Sequence, residues 1–193
     1  MERRRYHIKK GQKYFRPCVP IWPVAHPHGF EFEAVLDESL WFSKEEVGGD
    51  RDRGDWLKLT GITAAFGRNN YRSALIAYKP ADVENIFQVT AYTNDKNGKW
   101  KSGKAGIEIT TVRAGEEFNG KAFFGQSFFT DTVEYYIHTA LGTYTAKHDF
   151  DTPWHRRYRQ VGGAHGGKNN SPGPYGSRAV KNGFFELGFA WIT

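Results

Sequence analysis

Apolar and polar residues alternate with period two over much of this chain, the pattern of strands with one face on a core and the other toward solvent or a second layer. In residues 30–36, Phe30, Phe32, Ala34 and Leu36 alternate with Glu31, Glu33 and Val35. Residues 56–62 place Trp56 and Leu57 at the entry and Leu59 and Ile62 beyond, with Gly61 breaking the period as a β-bulge does. Residues 73–78 form a third run, and in residues 86–92 Phe87, Val89 and Ala91 alternate with Gln88, Thr90 and Tyr92. Asn97-Gly98 closes a short polar segment ahead of Trp100, which is the best local hairpin signal in the chain.

Further runs follow at residues 106–112, 133–139, 143–148, 158–162 and 183–191. The last is apolar on both faces, with Phe185, Leu187, Phe189 and Trp191 against Phe184, Ala190 and Ile192, as a buried central strand would be. Only residues 40–47 favour helix, where Ser43 and Glu46 have capping-box spacing. Residues 16–29, with Pro17, Pro20, Pro23 and Pro27, and the glycine-rich residues 162–176 read as irregular surface loops. Around nine strands without a long 3.6-residue period predict a mostly β fold, a jelly-roll or concanavalin-like antiparallel β-sandwich.

Length changes this picture little: 193 residues suit one sandwich, and the 15 Phe, 10 Tyr and 6 Trp are enough to fill its core. Cys18 is the only cysteine, so packing rather than an intrachain disulfide must hold the fold; it reads as an inert loop or core thiol. No apolar run of about 7–15 residues follows the basic opening, so it does not read as a signal peptide. Nothing approaches the roughly 18–20 apolar residues of a membrane span. Synthesis in a reducing cytosol without export is expected.

Charge is more informative once it is placed. Residues 1–16 carry seven basic side chains against Glu2, residues 152–185 carry six and no acid, and residues 17–151 between them hold 14 basic and 19 acidic ones. A basic N-terminal arm (1–16) followed by one sandwich domain (17–193) is the expected organisation, with Arg3, Arg4, Arg5, Lys9 and Lys10 docking on an acidic partner surface. The arm carries charge rather than core on this reading, so deleting it should leave the sandwich folded unless residues 6–10 are an integral strand.

Catalytic signals are weak. Asp50, Asp52 and Asp55 could offer oxygens to calcium, but Arg51 and Arg53 intervene and an EF-hand needs a longer acidic series. Arg53-Gly54-Asp55 is too short a motif to use. His148, Asp149, Asp151 and His155 match no metal spacing, and the turn at Asp151 and Pro153 accounts for those residue types equally well. His26 and His28 lack further ligands, and Glu31 and Glu33 share one strand face, which reads as solvated. There is no phosphate-binding glycine loop, nucleophile elbow, CxxC or HExxH. No cofactor, metal or catalytic residue is therefore expected. The run from Trp154 through Arg156, Arg157, Tyr158 and Arg159 interleaves arginine with aromatics, which suits a sugar ring, an acidic protein or nucleic acid, and equally an edge strand with charged gatekeepers.

Taken in order, Tyr6-His7-Ile8-Lys9-Lys10-Gly11 with Tyr14 and Pro17, the segment Leu57-Lys58-Leu59-Thr60-Gly61, Tyr71-Arg72-Ser73-Ala74, and Tyr158-Arg159 followed by Gly162-Gly163, Gly166-Gly167-Lys168-Asn169 and Pro172 resemble small, largely uncharacterised proteins of crAss-like and related tailed phages of gut Bacteroidetes. The match is scattered over most of the chain, no motif in it is specific, and Gly67-Arg68-Asn69-Asn70 stands where a histidine pair belongs. The resemblance implies a lectin-like jelly roll and a phage origin.

The expected function is a non-enzymatic, virion-associated structural or adsorption protein, attached to capsid, tail or fibre after synthesis in the host cytoplasm. It would bind carbohydrate through Trp41, Trp100 and Trp154 with Arg156, Arg157, Tyr158 and Arg159. Its expected partners are other virion proteins, a host surface glycan and further copies of itself, with no membrane. One alternative is a polysaccharide-degrading jelly-roll enzyme using His138, His148, Asp149 and Asp151. The other is a nucleic-acid-binding protein using the two basic segments. Acids and histidines converging in one cleft would favour the enzyme.

Overall fold

The computed structural model describes residues 1–12, 15–17, 24–25, 27–43, 45–47, 56–64, 72–95, 97, 100–102, 109–125, 132–149, 157–164 and 181–193, with backbone alone at 25, 47, 64, 100, 102 and 157–164. The strands among them are β1 (Arg4–Ile8), β2 (Val24–Ala25), β3 (Gly29–Leu36), β4 (Leu57–Ala64), β5 (Ser73–Pro80), β6 (Ile86–Asn94), β7 (Trp100–Ser102), β8 (Ile109–Arg113), β9 (Glu117–Phe124), β10 (Thr132–Thr139), β11 (Gly142–Asp149), β12 (Arg157–Ala164) and β13 (Gly183–Ile192). A six-stranded sheet runs β1-β13-β3-β9-β10-β11, and a seven-stranded sheet runs β2-β12-β4-β5-β6-β7 with β8 also paired to β6. All pairings are antiparallel, so the chain is a β-sandwich of the jelly-roll, concanavalin-like class.

The alternation read from the sequence is the one the core uses. Phe30, Phe32, Ala34 and Leu36 of β3 are fully buried, and Phe87, Val89 and Ala91 of β6 meet them from the other sheet. Polar groups also bridge the sheets inside this core. Thr93 Oγ1 of β6 lies 2.7 Å from the Tyr135 hydroxyl of β10 and 2.8 Å from His148 Nδ1 of β11, one hydrogen bond to each. Burial raises the Tyr135 phenol well above its ordinary value, so it stays neutral and its hydroxyl remains available as a donor.

The capping box forms as expected, with Ser43 N–H donating to Glu46 Oε2 at 2.7 Å and Glu46 N–H to Ser43 Oγ at 3.3 Å. It caps only a 3-10 turn, Glu45–Val47, and a second such turn spans Glu38–Leu40. The hairpin at Asn97 joins β6 to β7, pairing Asn94 with Trp100. The final strand β13 is interior, between β1 and β3, but the strands closed on both faces are β5 and β6. Among the described residues two strands, β2 and β9, have no counterpart in the sequence reading, and β1 falls within the expected arm.

The expected N-terminal arm is corrected by the position of β1. Arg4–Ile8 is the edge strand of the six-stranded sheet, in register from Arg4 opposite Leu187 to Ile8 opposite Gly183. Tyr6 and Ile8 enter the core because alternation turns every second residue inward, while Arg3, Arg4, Arg5, Lys9 and Lys10 stay exposed. Phe15 joins them, edge-on to Tyr6 at 4.8 Å and to Phe185 at 5.1 Å.

β4 carries the irregularity that Gly61 announced. Its register with β5 shifts between Lys58 and Thr60, so Leu59 has no partner in the ladder, and Leu59 and Thr60 are both buried. The extra residue reverses the alternation: Ile62 faces the core while Lys58 faces away from it. Among the described buried side-chain atoms, Thr60 Oγ1 is the one without a hydrogen-bond partner. An unsatisfied buried hydroxyl costs about 1–3 kcal/mol, so Thr60→Val should stabilise the protein by about 1 kcal/mol. That corresponds to a rise of about 2–4 °C in melting temperature for a domain of this size. A fall in melting temperature would mean that the hydroxyl is bonded.

Candidate functional site

The two outward faces of the sandwich differ in kind. On the six-stranded sheet, opposite charges sit across from one another: Lys121 Nζ is 3.3 Å from Glu31, Lys147 Nζ is 2.6 Å from Glu134, and Arg3 pairs with Glu117 and reaches Glu186 at 4.0 Å. Lys147 holds the Glu134 carboxyl below its usual range, by hydrogen bond and then by charge. Exposed pairs of this type add little stability and mark a solvated face.

The outward face of β4, β5 and β6 is built differently. Leu75, Ala77 and Tyr92 form a second apolar cluster, with Trp56 packed against it. Lys58 stretches across to Tyr92, its Nζ 4.9 Å from the ring centroid, and Lys79 Nζ lies 4.7 Å from the centroid of Trp56. The small side chains of Ala77 and Thr90, in register between these groups, leave the Lys58 stem room to cross. Further along the same face Asn94 Nδ2 donates to Ser73 Oγ at 2.8 Å, with Thr63 paired beside Ser73. Ser73, Thr63 and Asn94 are closed from solvent, whereas Trp56, Lys58, Lys79 and Gln88 are half-buried, so the face is accessible at that end. Burial draws the Lys79 ammonium below the usual lysine value, and Asp82 partly offsets it.

The structure separates most of the residues singled out in the sequence. Trp41 is half-buried against the core and donates its indole N–H to the Ala81 carbonyl at 3.2 Å. Trp100 begins β7, and Arg157, Tyr158 and Arg159 begin β12; both strands belong to the seven-stranded sheet, on opposite sides of β4-β5-β6. In register, Arg159 pairs with Thr63, Thr63 with Ser73, Ser73 with Asn94 and Asn94 with Trp100, one row crossing the site. Trp154, Arg156, Asp151, His155, Cys18, His26 and the loop carrying Asp50, Asp52 and Asp55 lie outside the described residues. Among the N-terminal cations, the Arg5 guanidinium lies 4.8 Å over the Phe184 ring, and the Lys10 backbone N–H donates to Asn182.

The histidine and acid set of the enzyme alternative does not converge. His148 points into the core toward Thr93, Asp149 next to it points outward to Lys101 at 2.6 Å, and His138 bonds Thr143 Oγ1 at 2.8 Å at the far end of the β10–β11 ladder from Asp149. The Lys101 hydrogen bond and charge hold the Asp149 carboxyl below its usual range, as in an ordinary surface pair. Among the described residues no group of three His, Cys, Asp or Glu is placed to hold a metal ion. Sequence reading missed Trp56, Lys58 and Lys79 as site residues because they lie on two strand regions and Trp56 meets Lys79 only across the β4–β5 pairing.

No family model and no curated protein matches this sequence. Among solved structures, the alginate lyase Aly36B is similar in fold, with a TM-score of 0.57 at 10% identity over 98% of this chain and 80% of that one. A double mutant of that lyase in complex with alginate trisaccharide gives 0.52 at 11% identity, over the same shares. Similarity to the tail fibre protein gp63.1 from an E. coli phage is looser and carries no argument, with a TM-score of 0.36 at 10% identity over 98% of this chain and 20% of that one. At these identities the similarity to the lyase is one of fold: this chain is a two-sheet antiparallel sandwich of that architecture.

Proposed function

We propose that this sandwich is a carbohydrate-binding protein that holds a glycan on the outward face of β4, β5 and β6. The observation that carries the reading is the half-buried Trp56 ring, with Lys79 over it and the half-buried Lys58 and Gln88 near it, at the accessible end of that face. Sugars present apolar C–H faces and a rim of hydroxyls, so a ring to stack on and nearby polar groups are what a sheet must supply to hold them. The resemblance to tailed-phage proteins gives such a binder a setting, a virion-associated adsorption module. The exposed Arg4 on β1 and Lys9 and Lys10 just after it are then available to neighbouring virion proteins or further copies of the chain.

Retention on a panel of bacterial capsular polysaccharides tests this. Trp56→Ala should weaken binding by about tenfold or more, since truncating a buried aromatic anchor costs ~2 kcal/mol. Asp149→Ala, on a residue bonded to exposed Lys101 away from this face, should leave retention unchanged. Equal retention by the Trp56 variant and the parent would sink the assignment of this face.

Depolymerisation is the second reading, and one observation favours it: the Tyr92 ring lies beneath the Lys58 ammonium two residues from Asn94, on a fold shared with a lyase. A tyrosine beside a cation and a neutral amide is equipped to move a proton next to a sugar carboxylate. Chain shortening of the retained polymer that Tyr92→Phe abolishes, with binding intact, would establish it.

A further inference from the structure

We propose that the glycan lies across the strands rather than along them, as a stretch of polymer reaching from the Trp56 ring to Thr111, with Gln88 and Thr111 as the residues that bond its hydroxyls. This inference rests on the reading of the site given above and adds the direction, length and polar contacts of the ligand.

Trp56 immediately precedes Leu57, the partner of Tyr78, so it stands level with Lys79, whose Nζ lies over its ring. Lys79 pairs with Gln88 on β6, and Gln88 pairs with Thr111 on β8. Residues directly opposite one another share a face, so Trp56, Lys79, Gln88 and Thr111 form one outward row, and all of them are half-buried. Three strand steps of about 4.8 Å make this row roughly 14 Å long, more than a single sugar ring spans. Along the strands the way is closed. The next outward positions of β5 and β6 on the Lys58 side, Ala77 and Thr90, are shut off from solvent, and in the other direction β5 ends at Pro80.

The row offers what a sugar chain needs. Trp56 supplies a ring to stack on. The Lys79 ammonium is engaged with that ring and with Asp82, so this residue contributes its stem as a floor rather than a free charge. The Gln88 amide and the Thr111 hydroxyl have no hydrogen-bond partner among the described residues. A polar side chain left to water exchanges it for a ligand hydroxyl at little cost. Both residues stand in unbroken ladders, eight pairs between β5 and β6 and five between β6 and β8, so they are in position before a ligand arrives. Ile109 and Ile86, half-buried in the rows on either side of them, give the C–H faces of the sugars apolar contact.

The test displaces the full chain from the capsular polysaccharide it retains best, using size-sorted fragments of an acid hydrolysate of that polymer, from single sugars to hexasaccharides. Competition should strengthen at least tenfold between the monosaccharide and the tetrasaccharide. Gln88→Met and Thr111→Val keep the side-chain shape and lose the polar group. Each should weaken tetrasaccharide competition about two- to tenfold, the net worth of one hydrogen bond, and leave monosaccharide competition unchanged. That split separates a binding role from damage to the fold, which would weaken every length alike. Thr145→Val, on the outward face of the other sheet, should change neither. Melting curves check that the variants are folded; if one is not, the other variant and the length series on the parent carry the test. A monosaccharide that competes as well as the tetrasaccharide, for a parent whose retention Trp56→Ala abolishes, would overturn the inference and leave the glycan reading standing. So would a length dependence indifferent to both Gln88→Met and Thr111→Val. Retention of no polymer in the capsular panel would remove the glycan reading and the inference with it.

Discussion

Deleting residues 1–16 should unfold the sandwich rather than free it of an arm. The deletion removes Tyr6, Ile8 and Phe15, which are 5%, 2% and 4% exposed. Each fully buried side chain of this size contributes about 1.5–3 kcal/mol, so three together approach the whole stability of an ordinary domain, about 5–15 kcal/mol. Phe185 loses the stacked Tyr6 ring at 5.2 Å and the edge of Phe15, and β13 loses its five-residue ladder and becomes an edge. Chemical denaturation of the truncated chain beside the parent checks this; a loss under about 2 kcal/mol would show that β1 is dispensable. If the truncated chain cannot be purified, Tyr6→Ala with Ile8→Ala asks the same question of an intact one. Replacing Arg4 and Arg5 with alanine should leave stability within about 0.5 kcal/mol, as exposed substitutions do, and so separates a docking role from a packing one.

β1 shows why a run of charge misleads. The opening residues look like a solvated arm because seven of the sixteen are cations, yet the strand needs only Tyr6 and Ile8 turned inward. Edge strands tolerate and favour charge on their remaining positions. β9 was hidden for the opposite reason. Its inward residues are Phe118, Gly120, Ala122 and Phe124, and the two small ones in the middle dilute the apolar signal. Gly120 is small by necessity: a Cβ there would come within 2.3 Å of the Tyr136 carbonyl and 2.8 Å of the Phe32 ring. Among the strands that were legible, β3, β10 and β13 bring mostly large residues to the core at every second position.

The site was less legible than the fold. Aromatic and cationic residues were sought where they cluster in sequence, around Trp154 to Arg159, but a sheet assembles its face across strands. Trp56, Lys58, Lys79 and Tyr92 come from three separate strand regions and meet only through register. Nothing local ties Lys58 to Tyr92. His148 failed as a candidate for a reason that parity could have supplied: it shares a face with Ala146, two residues before it, and pairs with Val133, both buried, so it faces the core.

The second large effect is expected at Gly61, where fold and site depend on one residue. Its φ of +139° is a conformation that L side chains rarely adopt, and a Cβ there would lie 2.2 Å from the Ala74 carbonyl oxygen and 2.6 Å from Leu75 Cα. Both are backbone atoms of β5, in the middle of the sheet, so no side chain can swing aside to make room. Gly61→Ala therefore has to break the β4–β5 contact or the glycine conformation. Backbone strain of this type costs about 1–3 kcal/mol, and overpacking adds about as much again. A loss of roughly 3–5 kcal/mol is expected, read as a drop of roughly 6–20 °C in melting temperature. Because Gly61 sits on the bulged strand that carries Lys58, next to Trp56, retention on the polysaccharide panel should fall as well, below the melting temperature of the variant. Thr60→Val, one residue away and free of strain, is the control that keeps retention. A Gly61→Ala protein melting within about 2 °C of the parent would show that β4 has another backbone path at this point, and the bulge would lose its claim to set the face of the site.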